Sequence, residues 1–443
     1  MAGQRIAVVG SGIAGLAAAW LLRQRYQVTL IERNDYVGGH THTVEVDTGR
    51  GRLPVDTGFI VYNEPNYPVF TALLRHLEVA TRPTDMSFSV SVDGGRLEYA
   101  GTDLNTLFTQ RRRLVDRRFL GMLADVLRFN RTARWLLREG CAPITLGRFL
   151  AEQRYGQAFR DDYLLPMTAA IWSCPTQAML DFPLASLLRF LANHGLIDLF
   201  GRPQWRTVAG GSHQYVRKML DTLGSATRRA EPVSRVVRGA AGGTVHYAAG
   251  GCERFDQVVL ACHADEALAL IERPTQEERQ TLGAFRYQPN RALLHRDPRL
   301  MPRRGRAWSS WNYLATTAAG DPGDVSVTYW MNRLQGLPYE EPLFVSLNPL
   351  TEPRADRVLR EMEYHHPLFD RHALEAQRHL PSIAGCDGLW FCGSYHGYGF
   401  HEDALRSAVE VAVHLGATLP WEENTGRWAG PVSDSRANPP QAA

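Results

Sequence analysis

Tyr395, His396, Tyr398 and His401 place two phenols and two imidazoles in one glycine-punctuated loop. An imidazole exchanges a proton near neutrality, so this loop holds the candidates for general acid–base work. The same side chains could instead orient the loop or hydrogen-bond a cofactor, and spacing leaves both readings open. Tyr62, Asn63, Asn193, His194 and Trp205 are candidates for lining a substrate pocket; His194, followed by Gly195, could equally close a helix. The six cysteines contain no CxxC and no metal-like spacing, so free thiols are expected and no metal.

Positioning these groups falls to the ends of the chain. Residues 6–9 (IAVV) read as a buried strand. Gly10-Ser11-Gly12-Ile13-Ala14-Gly15 follows, then an Ala/Leu-rich helix over 16–23 and a second apolar run over 28–31 that ends on Glu32. The glycines let the backbone turn tightly and approach a pyrophosphate at the helix N-terminus. Glu32 is spaced to accept hydrogen bonds from a ribose diol. With the strand before, the helix after and the acid at this distance, the run predicts a dinucleotide site at Gly10, Gly12, Ala14, Gly15, Glu32 and Arg33. A diffusible nicotinamide needs little more than that unit, whereas a dinucleotide buried along its length needs further contacts. Gly38, Gly39, His40 and Thr41 offer a second close loop, and Gly58 and Phe59 a small-residue turn after a strand near 55. The apolar run 389–393 then leads through Gly393, Ser394, Phe400, Asp403 and Ala404 into a helix reaching about 413, whose open N–H groups suit flavin and ribityl oxygens. His40 could also be a plain solvent-facing loop histidine.

Together these motifs resemble the FAD-dependent amine oxidase, protoporphyrinogen oxidase and carotenoid desaturase superfamily. Residues 232–237 resemble the strand that reads the adenine, here at Val236, and 255–262 the strand returning to the nucleotide lobe. The resemblance runs from residue 6 to about 415 and implies FAD. The implied fold class is α/β plus α+β: a Rossmann-like FAD-binding lobe from 1–62, 205–265 and 385–420, with a discontinuous substrate lobe of sheet plus helices from 63–204 and 266–384. Three positions depart from the pattern. Ser394 stands where an acid usually binds the ribityl chain, and His40 where many relatives use arginine. Lys218 is the only lysine, and its surroundings read as a turn entering a helix, not as the strand that brings the amine oxidases' lysine to the flavin. Amine oxidation is therefore not expected.

A finer resemblance comes from Tyr62-Asn63-Glu64-Pro65-Asn66-Tyr67-Pro68, Asn193-His194-Gly195-Leu196 and Gly201-Arg202-Pro203-Gln204-Trp205. These are similar to a bacterial subgroup of FAD-binding oxidoreductases associated with cyclopropane-synthase-like fatty acyl methyltransferases and furan fatty acid synthesis. The resemblance implies desaturation of a methyl-branched, unsaturated fatty acyl group. Hydride would pass to flavin N5 while a base takes a proton from the neighbouring carbon. It leaves open a fatty acyl oxygenase, an isomerase, a carotenoid-type desaturase, or a flavin-bearing partner of a lipid methyltransferase.

Composition bounds the rest. A chain of 443 residues calls for two lobes, and a formal charge of +3 gives no argument for nucleic acid. No uncharged run of about eighteen apolar residues occurs, and no signal peptide is read before residue 6. Residues 111–138 carry nine arginines against Asp116 and Asp125, interleaved with Leu, Phe and Trp. This segment reads either as a solvated basic helix with an ordinary packed face or as a helix lying on an anionic membrane. The expected location is the cytoplasm, with peripheral contact to the inner membrane through that segment. The polar tail 424–443 is expected to be disordered.

Overall fold

The structure, a computed structural model, describes residues 3–421 apart from 50, 173–175, 199–200, 240–241, 317–324 and 339. The expected disordered tail, a Pro/Gly turn at 318–323, Cys174 and the side chain of Asn193 lie outside the described residues.

Arg5–Val9 is the middle of a five-stranded parallel sheet, in the order Thr227–Arg228, Gln27–Ile31, Arg5–Val9, Gln257–Leu260, Leu389–Phe391. Ile6, Ala7 and Val8 are fully buried, as a central parallel strand covered on both faces requires. Helix Ile13–Leu22 buries all ten of its residues, and His401–His414 packs directly against it. Strand order therefore sets the first strand and the last one either side of Gln257–Leu260. The loops leaving their carboxyl ends meet at one edge of the sheet, where open α/β sheets bind ligands.

The apolar run 255–262 is two strands, not one. Cys252–Phe255 closes an antiparallel sheet with Gly242–Tyr247 and Val233–Gly239, whereas Gln257–Leu260 joins the parallel sheet. Asp256 makes the break. Its carboxylate accepts the Arg5 N–H at 2.7 Å and its own N–H donates to the Arg5 carbonyl at 2.8 Å, tying the second strand to the start of the first.

A second, seven-stranded sheet runs in the order Val358–Leu368, Arg286–His295, Phe344–Leu347, Val325–Trp330, Trp311–Ala315, Phe88–Val92, Leu97–Ala100. Every pairing is antiparallel except Trp311–Ala315 with Phe88–Val92. Helices between residues 117 and 193 complete this half, and their buried Phe129, Phe149, Phe159, Leu187 and Leu191 join one apolar core with Val90 and Tyr313 of the sheet. A small sheet of Tyr62–Asn63, Trp205–Val208 and Thr81–Thr84 stitches chain segments from either side of the helical block.

Candidate functional site

The nucleotide cradle is built from backbone that tolerates no side chain. Gly10 ends the first strand at φ +100°, and a Cβ there would lie 2.7 Å from the Ala261 carbonyl oxygen. A Cβ on Gly15 would overlap the Gly10 carbonyl, so Gly15 serves the close contact of helix and strand. Gly12 differs from both: it has ordinary extended backbone, and a Cβ there would meet nothing within 4 Å. No neighbour in the protein demands a glycine at that position, but a ligand approaching the open helix start would. The second glycine loop locks onto the first, with the Gly38 N–H donating to the Ser11 carbonyl at 3.1 Å. Glu32 is almost fully buried, and its carboxylate accepts from Ser11 N (3.0 Å), Ser11 Oγ (2.5 Å) and Asn34 N (2.8 Å). These bonds hold the acid beside the glycine turn.

A cavity of about 1190 Å³ opens over this cradle. It exceeds the roughly 300–1,000 Å³ of ordinary small-molecule pockets, leaving room for a cofactor and a second molecule. Of the expected cofactor residues, Gly10, Gly12, Ala14, Glu32, Arg33, Gly38, Gly39, His40, Thr41, Gly58, Phe59, Gly393, Ser394, Phe400 and Ala404 line it. So do Tyr395, Tyr398 and His401 of the loop, and His194 and Trp205 of the substrate set.

Seven expected residues do not line it. Gly15 is the packing glycine just described. Val236 is buried in the core with its carbonyl accepting from Glu272 N at 3.0 Å; Val233, three residues earlier, reaches the cavity instead. Asp403 acts behind the wall, where its Oδ2 accepts from Tyr398 N (2.9 Å) and Phe400 N (3.0 Å) and so fixes the loop. His396 lies beside the Tyr395 ring and close to Arg406, with a buried Nε2 that has no partner among the described residues. Tyr62 packs edge-on against Phe70, and Asn63 caps its own turn through Asn66. Asn193 ends helix Leu184–Asn193.

Sequence reasoning missed a group that the long strand Val358–Leu368 brings in. Tyr364, His365 and His366 line the cavity together with His263. The His40 ring lies 5.1 Å from Tyr364, 5.3 Å from His366 and 6.3 Å from His263. Burial and the neighbouring imidazoles push His40 well down, and His366 to about 4, so both rings are neutral near pH 7. Neutral imidazoles still offer N–H donors. The doublet His365-His366 was the available signal. Buried and without a partner among the described residues, His40 Nε2 and Tyr395 Oη are polar atoms on the cavity wall that a polar ligand would satisfy. With the open Gly12 position and the oriented Glu32, this donor set fits a dinucleotide. Among the described residues, no three His, Cys, Asp or Glu groups converge to hold a metal.

Two further histidines are held in fixed states. His401 stacks on Phe59 (3.8 Å, 11°), and its Nε2 shares a hydrogen bond with Tyr215 Oη at 2.8 Å, which in turn reaches Thr41 Oγ1 at 2.6 Å. Burial pushes His401 down to about 3. His194 stacks on Phe190 (3.9 Å) and its Nδ1 lies 2.9 Å from the Phe190 carbonyl. A carbonyl only accepts, so Nδ1 carries the proton and Nε2 the lone pair. Burial pushes His194 down to about 4.

Asp56, fully buried under the Thr57-Gly58 turn, joins three distant segments. Its oxygens accept from Ser212 N and Oγ (2.9–3.0 Å), Thr43 Oγ1 (2.5 Å) and Gln335 Nε2 (3.0 Å). Burial pushes the carboxyl up to about 7 against the pull of those donors. Asp56→Ala strands several buried donors at roughly 1–3 kcal/mol each, so a loss of about 3–5 kcal/mol is expected. Denaturant unfolding measures it, and a midpoint within error of the parent would contradict the hub.

A family model for flavin containing amine oxidoreductases matches residues 13–299. AofH of Mycobacterium tuberculosis, which carries the name of a flavin-containing monoamine oxidase, is 28% identical over 294 residues; the match covers 63% of this chain and 61% of that protein. A 1-hydroxycarotenoid 3,4-desaturase of Flavobacterium sp. is 55% identical over 40 residues, 9% of this chain and 8% of its own. The solved fatty acid isomerase from P. acnes shares the fold at TM-score 0.66 and 15% identity, covering 94% of this chain and 99% of that one. Lys218, in helix His213–Leu223, donates to the carbonyls of Leu77 and Glu78 and does not line the cavity. With the cradle, the cavity and the family match in agreement, the chain belongs to the flavin containing amine oxidoreductase family, and its dinucleotide is FAD.

Proposed function

We propose that the protein oxidises a lipid acyl chain, removing two hydrogens from a methyl-branched, unsaturated fatty acyl group to leave a conjugated diene, the step expected in a furan fatty acid pathway. The observation that carries this reading is the lining contributed by the substrate half: Tyr99, Tyr163, Met167, Ile171, Phe190 and Phe369 present apolar surface to the same cavity as the FAD cradle. An acyl chain gains by leaving water for such a wall. The remote position of Lys218 also removes the group expected in an amine oxidase.

When bound, FAD supplies the two-electron acceptor. The chain supplies placement and proton handling. An allylic C–H gives up its electron pair most easily because the developing positive charge is delocalised over the double bond. That charge acidifies the adjacent C–H, so a weak base suffices. His194 Nε2 is the base we assign: its lone pair is fixed by the Phe190 carbonyl, on a cavity wall shared with Phe400 and Trp205. The hydride and the proton lost by the chain, two hydrogens in all, balance the new C=C bond. The substrate requires prior methyl transfer to an unsaturated chain, so a lipid methyltransferase is the expected partner. We place the protein on the cytoplasmic side of the inner membrane; no described helix is long and apolar enough to cross one.

Substrate class is tested by anaerobic mixing with a panel of acyl lipids and alkylamines. Bleaching of the flavin band by methyl-branched unsaturated phospholipid, and by none of the amines, is expected. Bleaching by an amine alone would overturn the reading.

A further inference from the structure

Among the described residues, eight large apolar side chains are exposed, and six of them fall between residues 104 and 135. Leu104, Leu114, Val115, Leu120, Leu127 and Trp135 are 41–84% exposed, a concentration with no equivalent elsewhere on the described surface. Water disfavours such a cluster, so it marks a surface that meets something apolar.

Its layout narrows what that is. Helix Arg117–Glu139 buries Phe119, Met122, Phe129 and Ala133 against the core. At 100° per residue the opposite face carries Arg117, Leu120, Leu127, Arg131, Trp135 and Arg138 as one stripe, spaced three, four or seven apart. The helix thus has two apolar faces, and only one is covered. Arg113, Arg118, Arg128 and Arg134 are paired with Asp116, Asp162, Asp125 and Asp198. Arg117, Arg131 and Arg138 have no carboxylate partner among the described residues. Of the acids nearby, Asp103, Asp116 and Asp125 are spent on backbone N–H groups, leaving Glu139 at the helix end.

We propose that this face docks the protein on a bilayer rich in anionic phospholipid, the helix lying in the interface plane. Leu120, Leu127 and Trp135 enter the acyl boundary, and Arg117, Arg131 and Arg138 meet the headgroup phosphates. Leu104, Leu114 and Val115, on the turns leading into the helix, extend the apolar contact. An anionic protein or a nucleic acid would use the arginines and leave the leucines and tryptophan in water; a lipid interface uses both. The chain passes from Thr102, on the cavity wall, to Leu104 in two residues, and Phe190 on the neighbouring helix lines the cavity. Docking by this face therefore sets the cavity beside the membrane. The surface does not depend on which bond is oxidised.

The FAD-loaded full chain is sedimented with vesicles of mixed phosphatidylglycerol and phosphatidylcholine, both saturated and unmethylated, so that binding is separate from turnover. Wild type is expected to sediment with these and not with phosphatidylcholine alone. Leu120→Gln/Leu127→Gln/Trp135→Gln and Arg117→Gln/Arg131→Gln/Arg138→Gln are each expected to weaken binding on the order of a hundredfold. Their flavin absorbance and melting temperature should remain those of the parent, since none of the six side chains is buried. Leu359→Gln/Val413→Gln, altering exposed apolar residues elsewhere, should bind as wild type. Failure of wild type to sediment, undiminished binding by both triple variants, or loss in the control variant would overturn the proposal. So would retention of binding by the apolar triple with loss only in the arginine triple, which would mark a purely electrostatic surface.

Discussion

Gly15→Ala is expected to give a protein that neither retains flavin nor stays folded, whereas Gly12→Ala is expected to give a folded but colourless one. The two glycines stand three residues apart and do different work. The Gly15 methyl would drive into the Gly10 carbonyl, which belongs to a turn already held by the Ala261 backbone. Helix Ile13–Leu22 cannot retreat to make room, because every one of its residues is buried between the sheet and helix His401–His414. Overpacking between fixed backbones costs several kcal/mol, a large part of a domain's stability. The Gly12 methyl meets no protein atom, so the fold tolerates it. It projects into the space at the open helix start where the pyrophosphate must approach, and FAD affinity should fall at least about a hundredfold. Flavin content after desalting and the melting temperature of each variant measure the two effects. A coloured, stable Gly15→Ala protein would contradict the packing argument.

The second large effect is expected at His194. His194→Gln should slow flavin reduction by substrate on the order of 10²–10⁴-fold with FAD content unchanged. Gln keeps the polarity and approximate volume but has no nitrogen lone pair to take a proton. The comparison that gives the test its force is His396→Ala. That ring does not line the cavity, so its loss should change the same rate by no more than about threefold. Rapid-mixing absorbance measures both rates. The reverse ordering, with His396 critical and His194 neutral, would contradict the assignment.

The nucleotide half was legible because its signal is local. A strand, a glycine turn, a helix and an acid follow one another within residues 6–32, and each is read from its neighbours. The lining residues that were missed come from long-range pairing. Nothing in the sequence brings His365 and His366 beside His40; the antiparallel register of Val358–Leu368 on Arg286–His295 does. Val236 was placed on the right strand, but the register that presents Val233 to the cavity is set by the sheet. His396 and Tyr398 flank a short turn whose direction is fixed by Asp403, so composition could not tell which of the two lines the cavity. The strand 255–262 looked continuous because Asp256 is a single polar residue in an apolar run, and its bonds to Arg5 are 251 residues away in sequence. In the basic helix, Leu120, Leu123 and Leu127 make as good a periodic stripe as Phe119, Met122, Phe129 and Ala133. Tertiary packing chose the second and left most of the first outside.

The central claim is that an acyl chain is oxidised in the cavity beside FAD. Its most direct test is a single anaerobic turnover with a phospholipid carrying a methyl-branched, monounsaturated chain, followed by mass analysis of that chain. The account requires one flavin bleached for each chain that loses two hydrogens. A chain of unchanged mass with the flavin left oxidised would contradict it.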